Sequence, residues 1–304
     1  MGKIAFVFPG QGAQIVGMGR SLYNRYGAAR EVYDLCGDGI KKLSFKGPQE
    51  DLNLTVNAQP GLFAADLAAA FSLNERGIFA KAAAGFSLGE IPAAVYCGIM
   101  TVRAAFDLVQ FRARVMQECT QKHKGGMMAV LGLSNERVLD ICNGISGVYP
   151  ANFNAPGQIV TAFREGARDA LKAAIAEAKG RSIPLAVSGG FHSPLMDDAG
   201  LQMERYLESV TINEMKTPLY ANVTGQLYGV TKEPRKLLSM QINSPVRWQA
   251  AVEQMIADGC DIFIETGPGK TLTGMIKRID KNVQTYNVFD EESLETVVKE
   301  LANV

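Results

Sequence analysis

The sequence contains little cysteine and little histidine for its length. Five cysteines and two histidines occur among 304 residues, and no two cysteines form a Cys-x-x-Cys pair. The odd number and wide spacing argue against a disulfide framework and against a zinc site, and they indicate reduced thiols. We therefore expect a cytoplasmic protein without a bound metal.

The chain also lacks an excess of one charge and a long apolar run. Lys plus Arg and Asp plus Glu number 31 each, so no overall field attracts nucleic acid or a membrane. No apolar segment approaches the ~20 residues that cross a bilayer. The N-terminal run Lys3–Phe8 stops at Pro9, which is typical of a buried strand and not of a signal peptide. Apolar residues make up 47%, which predicts a soluble protein with a substantial core.

Two glycine-containing segments lack the spacing of nucleotide-binding loops. After Gly10 and Gly12, a dinucleotide loop requires a third glycine where this chain has Ile15. Gly269-Lys270-Thr271 resembles the end of a Walker A loop, but the glycine expected five places earlier is Ile264. We reject both nucleotide sites. The first loop instead supplies Gln11 near the carboxyl end of a strand, where α/β sheets place their ligands.

The remaining pattern predicts an α/β framework with an insertion. Helices are predicted over residues 21–36 and 102–120, and over 59–76 with Ala58-Gln59-Pro60 at its start. Segments between 127 and 187 follow the order β-α-β-β-α-β of a ferredoxin-like unit, and a strand over 262–265 completes the main sheet. We predict a large subdomain of residues 1–121 and 190–304, and a small ferredoxin-like subdomain of residues 122–189.

The segment Gly85-Phe86-Ser87-Leu88-Gly89-Glu90 carries the Gly-x-Ser-x-Gly pattern of a nucleophile elbow. A strand that turns sharply into a helix forces Ser87 into a strained conformation and requires small residues on both sides. The serine oxygen then lies beside unpaired N–H groups of a helix N-terminus, the donors that a developing oxyanion requires. Because such short patterns also arise by chance, other residues have to support the interpretation. The elbow predicts a parallel-sheet, α/β-hydrolase-like large subdomain.

Candidate partners for Ser87 are few. His192 follows a predicted strand and the flexible segment Ser188-Gly189-Gly190, a suitable place for a catalytic base. A lone histidine is more often a structural or surface group, but the serine elbow favours a base here. His123 lies among lysines and is interpreted as a surface residue. The helix over 102–120 carries Arg112 and Arg114, and we interpret Arg114 as solvated.

The order Gln11, Ser87, Arg112, His192, Gln241 resembles a known family. It is similar to the malonyl-CoA:acyl carrier protein transacylases of type II fatty acid synthesis and to the acyltransferase domains of polyketide synthases. The resemblance covers essentially the full length. Its other matching segments are Phe8-Pro9-Gly10-Gln11-Gly12, Met116-Gln117-Glu118, Asn152-Phe153-Asn154-Ala155-Pro156-Gly157-Gln158, Asn222-Val223-Thr224-Gly225, Ser244-Pro245-Val246-Arg247-Trp248 and Glu265-Thr266-Gly267-Pro268-Gly269.

The resemblance implies transfer of a malonyl group from malonyl-CoA to the phosphopantetheine thiol of acyl carrier protein, through an ester of Ser87. His192 is then the general base, held by a backbone carbonyl near Gln241 and not by an acid. The backbone N–H groups of Gln11 and Leu88 are expected to form the oxyanion hole. No bound cofactor is implied, and we expect a monomer.

Recognition of the substrate is also implied by the resemblance. Arg112 is expected to bind the malonyl carboxylate, which suits a planar guanidinium fork. The remaining residues assigned to the substrate pocket are Phe86, Phe191, Gln59 and Asn154. Because carrier proteins of this kind are usually acidic, we expect a basic patch, with candidates Lys172, Lys179, Arg181, Lys270 and Lys277.

The chain departs from the family at two places. Phe86 stands where the family usually has histidine before the nucleophile, which predicts altered selectivity or rate without loss of chemistry. The segment Ile159-Val160-Thr161-Ala162-Phe163 lacks the usual glycine-containing ending. The sequence leaves open a fatty acid or a polyketide pathway. Two alternative functions are an acyl-thioester hydrolase that edits on the same scaffold, and a non-catalytic relative that binds carrier protein.

Overall fold

The strands form two separate sheets. A computed structural model describes residues 2–230 and 232–302. In chain order its strands are β1 (Lys3–Phe8), β2 (Ala82–Gly85), β3 (Gly125–Leu131), β4 (Val148–Ala155), β5 (Gln158–Arg164), β6 (Arg181–Pro184), β7 (Leu219–Tyr220), β8 (Cys260–Thr266) and β9 (Gln284–Val288). One sheet has the order β7-β2-β1-β8-β9 and is parallel, whereas the other has the order β4-β5-β3-β6 and is antiparallel.

Helices connect the strands and cover the sheets. They are α1 (Arg20–Arg25), α2 (Gly27–Cys36), α3 (Asp38–Lys46), α4 (Gln49–Leu52), α5 (Thr55–Glu75), α6 (Glu90–Tyr96), α7 (Val102–Lys122), α8 (Asn135–Gly144), α9 (Arg168–Glu177), α10 (Asp197–Glu208), α11 (Pro234–Met240), α12 (Trp248–Ala257), α13 (Thr271–Ile279) and α14 (Glu291–Leu301). Within the described ranges, no helix combines the length and hydropathy that a membrane span requires.

The parallel sheet is buried on both faces, as its apolar strands predict. In β1, Ile4 to Phe8 are buried, and β2 consists of three alanines and a glycine, all buried. The helix α5 is rich in alanine and leucine, which favour helix, and it packs against α2, α7 and β8. Because α5 is enclosed by protein, nearly its whole circumference is apolar and buried. The core of the molecule therefore lies around β1 and α5.

The antiparallel sheet belongs to a β-α-β-β-α-β unit, which confirms the predicted ferredoxin-like order. Apolar residues of β3 and β5 form a second core with α8 and α9, including Met128, Ile159 and Leu171. Strand β6 lies at one edge and is largely exposed. At the opposite edge, the N–H of Phe153 donates to the carbonyl of Val246 at 2.8 Å, which ties β4 to the segment before α12.

Three predictions of secondary structure were wrong. The helix predicted over 21–36 is two helices, because Tyr26 is extended between α1 and α2. The next predicted helix starts earlier, at Thr55, so Pro60 lies inside α5 and not at its start. The carbonyl of Leu54 already accepts the N–H of Ala58 at 2.8 Å, so the first turn forms without the N–H that proline lacks. The parallel sheet also extends beyond β8 to β9.

Candidate active site

The serine segment adopts the strained turn that its glycines predict. Ser87 has a φ of 53° and begins a 3₁₀ turn directly after β2 and Phe86. A Cβ atom on Gly85 would overlap with the backbone of Gly89, and a Cβ on Gly89 would overlap with the carbonyl oxygen of Phe8. Only glycine permits these backbones to approach so closely. Ser87 consequently lies half-buried at the carboxyl end of the sheet.

His192 is within hydrogen-bond distance of Ser87. Its Nε2 lies 2.7 Å from Ser87 Oγ, and its Nδ1 lies 2.9 Å from the carbonyl oxygen of Gln241. Since a carbonyl only accepts, Nδ1 carries the proton, and the lone pair of Nε2 faces the serine hydroxyl. The backbone of His192 has a φ of 58°, and its N–H donates to the carbonyl of Ile242 at 3.1 Å. The ring is fixed from both sides.

The surroundings of His192 keep the imidazole neutral. Burial and, next, the nearby positive charge of Arg112 together lower its pKa to about 4. Hydrogen bonds to the carbonyl of Gln241 and to the backbone of Ser244 act in the opposite direction, since they favour the charged ring. Near neutral pH the ring is therefore able to accept a proton from Ser87.

Arg112 is a buried cation beside the serine hydroxyl. Its side chain is 1% exposed, and Nη1 donates to Gln59 Oε1 at 2.7 Å. Nη2 donates to Gln241 Oε1 at 2.8 Å and to Ser87 Oγ at 3.2 Å. Burial lowers the pKa of Arg112 to about 10, while the field of Glu90 raises it. The guanidinium is charged at neutral pH.

Arg112 has no direct acidic partner in the part of the chain that the structure describes. Across residues 2–230 and 232–302, none of the ion pairs involves this guanidinium. Its partners are two neutral amide oxygens and a hydroxyl. A buried cation is costly unless it is paired, so the arrangement favours an anionic ligand at this point.

Side-chain amides extend the network to the first loop. Gln241 Nε2 donates to the carbonyl oxygen of Ser87. Gln59 Nε2 donates to Gln11 Oε1 at 3.5 Å and to Met116 Sδ at 3.3 Å. Gln11 follows β1, so the carboxyl ends of β1 and β2 contribute adjacent loops, as the sheet topology predicts. Leu88 lies in the 3₁₀ turn, directly after the serine.

Three residues assigned to the pocket are less closely integrated. The ring of Phe86 packs edge-on against Trp248, with centroids 5.7 Å apart. Phe191 is buried in the main core, and Asn154 is buried on β4 with Oδ1 unpartnered among the described residues. Within the same residues, no hydrogen bond or ring contact connects these three side chains to the serine–histidine pair. Their assignment stays a prediction.

Two other residues singled out in the sequence lie away from the site. His123 Nε2 lies 3.1 Å from Asp198 Oδ2 on the surface. Arg114 is exposed and lies over the ring of Phe111, 5.2 Å from its centroid. No group of three or more His, Cys, Asp or Glu side chains suited to a metal occurs in the part of the chain that the structure describes.

Three polar residues behind the elbow were not predicted to have a role. Glu90, Asn222 and Tyr228 are buried, and the last two both donate hydrogen bonds to Glu90 Oε1. Asn222 Oδ1 accepts the N–H of Ser87 at 2.8 Å. One signal in the sequence pointed to them. Glu90 is a carboxylate at the start of an otherwise apolar helix, and a buried acid requires polar partners.

Comparison with known proteins identifies relatives over the full chain. The family model described as "Acyl transferase domain" matches residues 5–301. The malonyl CoA-acyl carrier protein transacylase of Bacillus subtilis is 36% identical over 310 residues, which cover 99% of this chain and 98% of that protein.

Solved structures agree in fold. The malonyl CoA-acyl carrier protein transacylase of Clostridium perfringens superimposes with a TM-score of 0.95 at 36% identity, covering 99% of this chain and 98% of that one. A malonyl-transacylase in complex with its type II PKS acyl-carrier protein gives a TM-score of 0.93 at 34% identity, covering 98% and 99%. The likeness therefore includes both sheets.

Proposed function

The chain belongs to the acyl transferase domain family, and on that premise we propose that it moves a malonyl group from malonyl-CoA to the phosphopantetheine thiol of an acyl carrier protein. The transfer proceeds through an ester of Ser87. The relatives named above are malonyl transacylases, and one of them is seen with its carrier protein, which supports both the acyl group and the acceptor. The pathway that the product enters is fatty acid or polyketide synthesis.

One observation carries the choice of acyl group. Arg112 is buried and charged, contacts no carboxylate among the described residues, and lies 3.2 Å from Ser87 Oγ. A malonyl thioester bound for attack by Ser87 brings its free carboxylate into this region. The carboxylate then replaces the amide oxygens of Gln59 and Gln241 as the partner of the guanidinium, through a charge-assisted and bidentate contact. A simple acyl group gains nothing from this cation.

The first half-reaction forms the ester. Ser87 Oγ attacks the thioester carbonyl carbon while its proton passes to His192 Nε2, 2.7 Å away. The carbonyl of Gln241 accepts from Nδ1 and stabilises the imidazolium. Backbone N–H groups of Gln11 and Leu88 are assigned to the oxyanion. The C–S bond then breaks, and the coenzyme A sulfur takes the proton from His192.

The second half-reaction reverses these roles with a different thiol. The thiol of the carrier protein gives its proton to His192 and attacks the ester carbonyl carbon. A new C–S bond forms, the bond to Ser87 Oγ breaks, and His192 returns the proton to the serine. Because each step uses the same base and the same donors, a single site serves both substrates.

The unit that acts is proposed to be one chain with two subdomains. The side chains of the site described above all come from one chain, and we propose that this chain acts as a monomer. The subdomains are assigned residues 1–121 with 190–304, and residues 122–189. The five cysteines are free and buried, which supports a reducing, cytoplasmic location.

Transfer of radiolabel tests the proposal. The protein is incubated with radiolabelled malonyl-CoA, separated from free label, and then given phosphopantetheinylated carrier protein. We expect stable label on the wild type, no label on Ser87→Ala, and movement of the label to the carrier thiol. Equal labelling of both proteins would disprove the Ser87 ester. Release of the label as free malonate without transfer would indicate a hydrolase.

A further inference from the structure

We infer that Asn222 and Glu90 form a clamp that positions Ser87 for attack, an inference that rests on the proposed function of the site. The N–H of Ser87 donates to Asn222 Oδ1 at 2.8 Å, and Asn222 Nδ2 donates to the carbonyl oxygen of Gly85 at 2.5 Å. One side-chain amide thus bridges the chain on both sides of Phe86. We call Asn222, Glu90 and Tyr228 the elbow clamp.

Asn222 is itself held by the carboxylate of Glu90. Glu90 Oε1 accepts the backbone N–H of Asn222 at 3.0 Å and the hydroxyl of Tyr228 at 2.7 Å. Exposed fractions are 0% for Glu90, 2% for Asn222 and 3% for Tyr228, so water does not compete for these bonds. Glu90 begins α6, the helix into which Ser87 leads. The clamp therefore connects the strand before the serine, the serine itself and the helix after it.

The conformation of Ser87 explains why a clamp is needed. A φ of 53° is unfavourable for a residue with a side chain, and it persists only where the surroundings impose it. If Asn222 is not held, the Ser87 backbone is able to relax, and its Oγ leaves the 2.7 Å contact with His192. A misplacement of about 1 Å between reacting groups costs ~100-fold in rate.

Glu90 is able to act in this clamp in either charge state, because its role is to accept hydrogen bonds at Oε1. Burial raises its pKa, while hydrogen bonds, first that of Tyr228, and the field of Arg112 oppose this rise, and the pKa lies at about 7. Oε2 has no hydrogen-bond partner within the described residues, so it is able to carry the proton while Oε1 accepts both bonds. A glutamine keeps an acceptor oxygen, and an alanine does not.

The test compares Ser87 acylation in Glu90→Ala, Glu90→Gln and Tyr228→Phe. Tyr33→Phe is the matched control, since Tyr33 also buries a hydroxyl that donates a hydrogen bond, to Met18 at 3.0 Å, far along the chain from the clamp. The rate of acylation is measured by rapid quench, separately with malonyl-CoA and with acetyl-CoA, and it is expressed per folded molecule. Hydrogen exchange of the peptide that contains Ser87 gives a second readout that needs no acyl transfer.

We expect Glu90→Ala to acylate about 10- to 100-fold more slowly with both thioesters, with an unchanged malonyl to acetyl ratio and faster exchange at the elbow. Glu90→Gln should recover to within about fivefold of wild type, and Tyr228→Phe should lose about two- to tenfold, whereas Tyr33→Phe should match wild type. If Glu90→Ala does not fold, the comparison of acylation rates between Tyr228→Phe and Tyr33→Phe tests the clamp.

Three results would overturn the clamp. The first is a wild-type rate of acylation in Glu90→Ala, or in Tyr228→Phe if Glu90→Ala does not fold. The second is a Glu90→Gln variant that is as slow as Glu90→Ala. The third is a changed malonyl to acetyl ratio, which would place Glu90 in the recognition of the carboxylate through Arg112. Failure of the wild type to form any Ser87 ester would instead contradict the proposed function, and the exchange measurement would still report on the clamp.

Discussion

The two sheets of this protein differ in what their ends and edges present. At the carboxyl ends of β1, β2 and β7, loops bring polar side chains into a dense buried network around Ser87. Among the described residues, the antiparallel sheet has no comparable network, and its edge strand β6 exposes Arg181 and Ile183 to solvent. The side chains of the candidate site therefore lie beside the parallel sheet, whereas the antiparallel sheet exposes side chains to solvent.

This difference follows from the physics of the two arrangements. Parallel strands that are buried on both faces meet at one rigid edge, where loops converge and exclude water. There, burial lowers the pKa of His192, and Arg112 stays charged although it contacts no carboxylate among the described residues. An exposed antiparallel edge has weak and screened electrostatics. We therefore expect changes at the parallel sheet to abolish chemistry, and changes at the antiparallel sheet to alter affinity only modestly.

The largest loss is expected when the reacting pair is removed. Ser87→Ala and His192→Ala should each lower kcat by about 10⁴-fold or more, because each removes one of the two groups on which the reaction depends. Since the two residues act as a unit, their effects should not add. Steady-state transfer to carrier protein measures the effect, and the double variant should be no slower than the slower single variant. Near-wild-type transfer by either variant would remove the parallel-sheet site from the chemistry.

The second largest effect is expected at Arg112, and it should depend on the substrate. Arg112→Ala should lower kcat/KM for malonyl-CoA, with a loss of transition-state stabilisation of about 2–5 kcal/mol. The effect on kcat/KM for acetyl-CoA should be much smaller. Arg103→Ala is the matched control, since Arg103 lies on the same helix in an exposed ion pair with Asp107. An unchanged malonyl to acetyl preference in Arg112→Ala would contradict the assignment of the carboxylate site.

The pH dependence of acylation should reflect the lowered pKa of His192. His192 has to be uncharged to accept the serine proton, and its pKa is lowered to about 4, so acylation should persist as pH falls past 6 and decline near 4. In Arg112→Ala, loss of the neighbouring positive charge removes a cause of that lowering, and the acidic limb should move to higher pH. Rapid-quench acylation measures the limb, with return to neutral pH as the control for unfolding. A wild-type limb near the ordinary value of about 6.5 would contradict a buried, neutral base.

The smallest effect is expected at the antiparallel sheet. Reversing the charge at Lys172 and Arg181, both exposed, should raise KM for an acidic carrier protein about two- to tenfold without changing kcat for acylation. Added salt should shrink the difference. Lys42→Glu, at an exposed lysine on α3, serves as the control. Lys277 is a weaker candidate, because its Nζ donates to the carbonyl of Val283. Unchanged carrier affinity at low salt would remove this surface from the docking site.

Much of the fold was predictable, because its signals are local. Apolar runs identified β1 and the strands of the small sheet, and the close backbone approach at Gly85 and Gly89 follows from the Gly-x-Ser-x-Gly spacing. The predicted boundaries of helices and of the sheet were wrong where tertiary packing overrides the local preference of the sequence. Burial of α5 tolerates Pro60 inside the helix, and β9 pairs with β8 although its residues are only partly buried.

The candidate site was predictable only in part. The strained turn at Ser87 follows from the elbow pattern, whereas the pairing of Arg112 with Gln59 and Gln241 joins residues 53 and 129 positions apart. Such contacts have no local signal, and only the family resemblance suggested their place. The elbow clamp was missed for the same reason, since Asn222 is 135 positions from the serine that it holds.

The most direct test is the mass of the peptide that contains Ser87 after brief exposure to an equimolar mixture of malonyl-, methylmalonyl- and acetyl-CoA. We predict an ester on Ser87 that is predominantly malonyl in the wild type, with the preference lost in Arg112→Ala. An adduct on another residue, or a predominantly acetyl ester in the wild type, would contradict the account.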